Sequence, residues 1–199
     1  MAVELFGSAV TRPDVIFCDT SFILDVLTDE VSQITSLCGT NATKLNRAAA
    51  SAAFLHAYRG YGVQFISSPF AFSEVGHVIT KNVHKSHGHK SWRAFWNADS
   101  PTCEQVYKDT MRLVRRAWRR ISGYDIWFTL PAAGTTTAFG IRAEDSIVEA
   151  ARLLKNRYMF LDWADAFHIA SGLASGTQWY ATTDQGWKSV AQINVFCDS

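Results

Sequence analysis

The sequence predicts an α/β fold in which a mostly parallel central sheet is flanked by helices. Three observations predict it: short continuous apolar runs typical of buried strands, longer amphipathic stretches, and an alternation of the two along the chain. The chain has 199 residues, of which 48% are hydrophobic, so it can bury one sizeable core. We therefore expect a single domain over residues 1–199.

The first strand and helix are predicted around Asp19. VIFC at 15–18 is a continuous apolar run that ends directly before this residue, which is typical of a strand buried on both faces. The apolar residues that follow have helical spacing: Phe22, Ile23, Val26 and Leu27. The opening stretch, MAVELFGSAV, is expected to hold a further helix.

A second strand is predicted between two helices. Residues 44–58 are Ala-rich and helical in pattern, and two nearby glycines end that helix. VQFI at 63–66 is the next apolar run. Ser67 or Ser68 then offers a cap for another helix, and Pro69 suits its first turn.

Positive charge is concentrated between residues 81 and 120. This segment contains ten Lys or Arg and three acids, a local charge of +7. The rest of the chain contains nine basic and fifteen acidic residues. The segment is predicted to be helical, with an apolar stripe of Val106, Leu113, Val114, Ala117 and Ile121. Five arginines lie largely off that stripe: Arg112, Arg115, Arg116, Arg119 and Arg120. This region is expected to meet an anion, with Trp92, Trp96 and Trp118 either stacking on bases or buried.

The C-terminal part continues the alternation. EDSIVEAARLL at 144–154 is amphipathic, and an Ala-rich helix begins near Asp165. WYAT at 179–182 and INVF at 193–196 predict the last two strands. Strands and helices in this order favour a sheet whose strands are joined by helical crossovers.

The apolar runs and the cysteine spacing indicate the compartment and the redox state of the protein. No stretch approaches the ~18 consecutive apolar residues of a membrane span, and the start lacks a secretion-signal pattern, so a cytoplasmic protein is expected. The four cysteines form no CxxC pair, and we expect reduced thiols rather than a zinc site or a disulfide framework.

Four acids are predicted to meet at one edge of the sheet. Asp19 and Asp184 follow strands, Glu74 lies near the start of the helix after the second strand, and Asp165 opens the helix before WYAT. Two carboxylates about 4 Å apart repel by roughly 1 kcal/mol in water and about 4 kcal/mol at lower effective dielectric. A divalent cation relieves that repulsion, and all-oxygen ligands suit Mg²⁺ or Mn²⁺.

These segments resemble the PIN-domain nucleases, and within them the VapC-type ribonuclease toxins of toxin–antitoxin pairs. The matching pieces are IFCDTSFILDVL, SPFAFSEVGHVI, and DAFHIASGLASG followed by WYATTDQGW. The resemblance covers roughly 14–80 and 125–196, which leaves a basic helical insertion at about 81–124. Ser21 stands where the family often has Asn, and Trp187 where Phe is common.

The resemblance implies a PIN-like sandwich and a metal-dependent endoribonuclease that leaves 3′ hydroxyl and 5′ phosphate ends. It also implies a cognate antitoxin and a possible homodimer. Asp19, Glu74, Asp165 and Asp184 would be the catalytic, metal-binding acids. Thr20, Ser21 or Thr183 would supply a supporting hydroxyl.

Structural explanations remain open for each acid. Asp19 is also a favoured N-cap, Glu74 suits a solvated helix face, and Asp184 suits an ordinary turn. Asp162 lies three residues before Asp165, so one can cap the helix while the other binds metal, and we assign the cap to Asp162. Asp25 is assigned to the surface.

The histidines are assigned structural roles. His168 is expected to be a satisfied structural residue rather than a substrate contact. His84, His87 and His89 are assigned to a basic loop rather than to a transition-metal site.

Two other functions fit the same sequence. One is a PIN-like RNA-binding or interaction module without catalysis, which a titration with divalent metal would distinguish. The other is a DNA-directed or structure-specific nuclease, which parallel digestion of RNA and DNA would distinguish.

Overall fold

A six-stranded, all-parallel sheet crosses the part of the chain that the computed structural model describes, residues 1–39, 41–88, 100–128 and 147–198. Its strands are β1 (Val3–Leu5), β2 (Val15–Cys18), β3 (Gln64–Ser67), β4 (Ile126–Phe128), β5 (Trp179–Ala181) and β6 (Asn194–Cys197). Their order is β1-β6-β5-β2-β3-β4. Strand order changes direction between β2 and β5, and open parallel sheets bind ligands beyond the strand ends at such a point.

Seven α-helices flank this sheet within the described ranges. They are α1 (Thr20–Glu30), α2 (Ser32–Cys38), α3 (Ala42–Gly60), α4 (Pro69–Ser86), α5 (Ser100–Gly123), α6 (Ile147–Arg157) and α7 (Trp163–Ala174). A 3₁₀ helix, Gln185–Ser189, follows β5. No helix in these ranges combines the length and apolar character needed to cross a bilayer.

Both faces of the sheet are buried. Ile16, Cys18 and Phe65 point into a core shared with α1 to α5, whereas Phe17 and Ile66 point into a core shared with α6 and α7. Successive residues of a strand point to opposite faces, so a strand covered on both sides is apolar throughout. Burial of both faces of the sheet therefore explains why VIFC and VQFI are continuous apolar runs.

One glycine brings α7 close to the sheet. A Cβ on Gly172 would lie 2.4 Å from the Tyr180 hydroxyl oxygen, and Tyr180 in β5 is fully buried. The Tyr180 hydroxyl donates to the Ile169 carbonyl at 2.8 Å. A larger residue at 172 would push the helix that carries Asp165 away from the sheet.

Most predicted elements are confirmed. β2, β3, β5 and β6 coincide with the four apolar runs to within one residue at each end, and α3 contains 44–58. Ser68 caps α4, its hydroxyl accepting from the Ala71 amide, with Pro69 in the first turn. The fold is therefore an α/β sandwich around a parallel sheet, as expected.

Three assignments are wrong. The opening stretch forms β1 rather than a helix, because Val3 and Leu5 pair with Val195 and Cys197 of β6. Asp25 is only 6% exposed and receives two hydrogen bonds from Arg47, at 2.5 and 3.0 Å, so it is a buried ion pair rather than a surface residue. The loop predicted around His84 is instead the last turn of α4.

Some predicted features lie outside the described residues. These are His89, Trp92 and Trp96 in the basic segment, and residues 144–146 at the start of the helix predicted over 144–154. Within the described part, the apolar stripe of the basic segment is confirmed, since Val106, Leu113, Ala117 and Ile121 of α5 are buried and Val114 is half-buried.

Candidate active site

Asp19 lies where β2 ends and α1 begins. It is 4% exposed and caps α1, accepting from the Phe22 amide at 2.8 Å. The hydroxyls of Ser21 and Thr182 also donate to it, at 2.8 and 2.6 Å. The capping role is thus confirmed. The carboxylate is held by residues that follow β2 and by Thr182, which follows β5.

Burial raises the pKa of Asp19 to about 6, although the bonds from Thr182, Phe22 and Ser21 and the charge of His168 oppose the rise. The donors to Asp19 among the described residues are hydroxyls and a backbone amide, and none carries a full positive charge. A buried carboxylate of this kind is stabilised by a cation.

Asp184 reaches the same hydroxyl from the other side. Its backbone amide donates to Thr182 Oγ1 at 3.0 Å, while its own carboxylate accepts from the Gly186 amide at 2.7 Å. The Thr183 amide donates to Ser21 Oγ at 2.9 Å, which ties the loop after β5 to the start of α1. Two acids from adjacent strands therefore share Thr182 as a neighbour.

Asp165 and Asp162 form a capping box at the start of α7. Asp162 accepts from the Asp165 amide at 2.8 Å, and Asp165 accepts from the Asp162 amide at 3.3 Å. The assignment of the cap to Asp162 is confirmed. Asp165 also accepts from the indole N–H of Trp187 at 2.9 Å.

The electrostatic surroundings of Asp165 are acidic. Burial raises the pKa of Asp165, the Trp187 bond opposes the rise, and the negative charges of Asp162 and Asp184 add to it. The negative charge of Asp184 therefore reaches Asp165, whose ionised form a nearby cation would stabilise.

Glu74 is held by a histidine and a threonine. Its Oε2 lies 2.6 Å from His168 Nε2, and the Thr20 hydroxyl donates to the same oxygen. Burial alone would raise the pKa of Glu74, but the bonds from His168 and Thr20 outweigh it and leave the pKa lowered. Glu74 is consequently an ionised carboxylate at neutral pH.

His168 is satisfied, as predicted, but its partners were missed. It is 2% exposed, and its Nδ1 lies 3.3 Å from the Ser68 hydroxyl while Nε2 faces Glu74. It stands one helical turn after Asp165 on the same face of α7, and this spacing was the sequence signal that His168 lies near the acids. His168 therefore connects α7 to the helix that carries Glu74.

The four acids share one edge but not one cluster. Asp19 and Asp184 meet at Thr182, Asp184 acts on Asp165, and Glu74 is bound to His168. Among the described residues, no group of three or more His, Cys, Asp or Glu is arranged to hold a metal ion. The metal site thus stays a prediction.

The donor chemistry at this edge suits a hard divalent cation. Carboxylate oxygens predominate, with the Thr and Ser hydroxyls bonded to them, and such oxygens are preferred by Mg²⁺ and Mn²⁺. The buried, raised-pKa carboxylate of Asp19 is the feature that fits a cation best.

Comparison with known proteins gives no match, whether with protein-family models, curated proteins or solved structures. The geometry of the edge and the quoted segments therefore carry the functional argument.

Proposed function

We propose that the protein is a metal-dependent endoribonuclease that hydrolyses RNA phosphodiester bonds with Mg²⁺ or Mn²⁺. One observation carries the proposal: at the switch between β2 and β5, the Asp19 carboxylate accepts from the Thr182 hydroxyl, that hydroxyl accepts from the Asp184 amide, and the negative charge of Asp184 raises the pKa of Asp165. Acids brought to one edge of the sheet in this way offer oxygen ligands that suit a divalent cation.

The residues of the chain have distinct roles in this proposal. Asp19, Glu74, Asp165 and Asp184 would hold the ion, which when bound supplies polarisation of the phosphodiester and a lowered pKa for a bound water. Ser21 and Thr182 fix the orientation of Asp19. His168 and Thr20 orient Glu74 and keep it ionised, so that its carboxylate is available as a ligand for the ion.

The biological setting rests on the resemblance to VapC-type toxins. It supports a toxin of a toxin–antitoxin pair, located in the cytoplasm, with a cognate antitoxin and a possible homodimer. A small open reading frame next to the gene, whose product co-purifies with this chain, is the expected finding. A gene standing alone would remove the toxin assignment and leave the nuclease proposal in place.

A second candidate is a PIN-like binding module without catalysis. It is favoured by the absence, among the described residues, of a group of three ligands arranged for a metal. The two candidates differ in one requirement, since only the nuclease needs a divalent cation for its effect on RNA.

The test is cleavage of a single-stranded RNA by the purified chain, with Mg²⁺, Mn²⁺ or EDTA, beside a DNA of the same sequence. We expect metal-dependent cleavage of RNA that Asp19→Asn and Asp184→Asn abolish. Asp29→Asn is a matched control, because Asp29 is an exposed acid of α1 away from this edge. Activity retained in both site variants would contradict the assignment, and RNA binding without cleavage in any metal would favour the binding module.

A further inference from the structure

The exposed side of α5 carries a continuous set of cations. Its buried side holds Val106, Leu113, Ala117 and Ile121. The opposite side, which we call the basic face, lines one hollow of the surface with Tyr107, Lys108, Met111, Arg112, Arg115, Arg116 and Arg119. The sequence predicted this division, and the structure adds which cations are still available.

Most cations of α5 already have partners within the chain. The pairs are Arg120 with Glu30, Arg112 with Asp109, Arg116 with Gln33, and Lys108 with Glu104. Arg115 and Arg119 have no hydrogen-bond or ion-pair partner among the described residues. These two guanidinium groups are therefore the ones that can bind an external anion without losing an internal partner.

α5 packs against α4, the helix that carries Glu74. Trp118 of α5 packs edge-on against Phe72 of α4, with ring centroids 4.1 Å apart. Phe72 stands two residues before Glu74 on α4. Residues at this spacing point to different sides of a helix, so the contact of Phe72 fixes α5 against α4 but does not bring the basic face to the acids.

The chemistry of the basic face fits one class of ligand. Arg115 and Arg119 are four residues apart, about 6 Å along the helix axis, so a single flexible strand can reach both with neighbouring phosphates. Tyr107 is 63% exposed in the same hollow and offers a ring on which an unpaired base can stack. An acidic polypeptide would use the guanidinium groups but has no base for this ring.

We infer that the basic face binds single-stranded nucleic acid, with Arg115 and Arg119 as the phosphate contacts and Tyr107 as the stacking residue. This inference rests on the nuclease proposed above, for which the face would hold the strand, but binding itself needs neither the four acids nor a metal.

The first test measures the affinity of a short labelled single-stranded RNA by fluorescence anisotropy, in EDTA, across a salt series, with Asp184→Asn in every protein to prevent turnover. Arg115→Ala with Arg119→Ala should weaken binding and flatten the log–log salt slope by about 1.4, since each lost phosphate contact contributes about 0.7. Arg152→Ala with Lys155→Ala is the matched control. It removes two charges from α6, on the other face of the sheet, where Arg152 is exposed and Lys155 is half-buried, and it should leave the slope unchanged.

The second test concerns the ring. Tyr107→Ala should weaken RNA binding roughly fivefold, whereas Tyr107→Phe should keep wild-type affinity because it keeps the stacking surface. A duplex competitor should displace the labelled strand less well than an unlabelled single strand, and polyglutamate should not displace it at equal charge.

Some outcomes overturn the inference. Unchanged affinity and slope in the double Arg variant would show that the RNA binds elsewhere. Displacement of the RNA by polyglutamate, with no effect of Tyr107→Ala, would indicate an acidic protein partner. Neither outcome touches the nuclease proposal, which fails only if metal-dependent cleavage is missing or survives loss of the acids. Circular dichroism and thermal melting of each variant ensure that a folding defect is not read as lost binding.

Discussion

The carboxylate of Asp19, at the end of β2, has several roles at once. It caps α1 through the Phe22 amide, accepts from two hydroxyls, and is almost fully buried. The cap could be predicted from the sequence, because Asp before a helical pattern is a local signal. Its contact with Thr182 could not, since the two residues are 163 positions apart.

The raised pKa of Asp19 makes the stability of the metal-free protein depend on pH. The folded pKa, about 6, lies above the usual 3.8, so the folded state holds the proton more tightly and stability is lost as pH rises from about 4 to 6. Asp19→Asn removes this titration. Its stability relative to wild type should rise across that window by up to roughly 3 kcal/mol. Urea denaturation in EDTA at several pH values measures the difference, and a flat difference would mean that burial does not shift this pKa.

Asp162 and Asp165 can be separated by substitution. Asp162→Ala should cost about 1 kcal/mol in unfolding free energy and keep activity, because it removes a cap. Asp165→Asn should abolish cleavage with little loss of stability, since Asn retains an oxygen for the Trp187 indole. Denaturation and RNA cleavage are measured on both variants. The reverse pattern would make Asp162 the metal ligand.

At the scale of elements, central strands were easier to predict than edge strands. β2, β3 and β5 are covered on both faces, so their apolar runs stand out in the sequence. β1 and β4 have three residues each, lie at the two sheet edges, and were missed, as was the seven-residue helix α2. β5 also has three residues and was predicted, so it is exposure at the sheet edges, seen at Val3, Leu5 and Trp127, that hid β1 and β4 in the sequence.

The close contact between α7 and β5 predicts that position 172 does not tolerate a side chain larger than that of glycine. Gly172→Ala would place a methyl group against the buried Tyr180 ring, and we expect a loss of about 1–3 kcal/mol or more in unfolding free energy. Gly60→Ala is the control, because no atom lies within 4 Å of the position that its Cβ would occupy, and it should be neutral. Thermal melting compares the two. Equal stability of both variants would show that α7 can shift without cost.

For the whole molecule, the arrangement of the site depends on which strands are neighbours. The order of the predicted elements placed Asp19 and Asp184 after strands and Glu74 and Asp165 near helix starts, at one expected edge, and the parallel sheet does bring the carboxyl ends of its strands to a common edge. The pairing of His168 with Glu74 and the sharing of Thr182 depend on packing between distant segments, for which the sequence held no local signal.

A cation that binds the four acids must also stabilise the folded state as a whole. At a Mg²⁺ concentration 100 times its dissociation constant, the gain is about 2.7 kcal/mol. Calorimetry should show a higher melting temperature with Mg²⁺ for wild type and Asp29→Asn, and no shift for Asp19→Asn or Asp184→Asn. A shift of equal size in all four proteins would indicate a general salt effect and no specific site.

The distance in sequence between Asp19 and Asp184 has a consequence for protein synthesis. Thr182 and Asp184 complete the surroundings of Asp19, and the ribosome adds the first of them 163 residues after Asp19. A nascent chain lacking them has neither the hydroxyl that orients Asp19 nor the acid beside it. The surroundings of Asp19 are therefore incomplete until the segment through Asp184 has been synthesised.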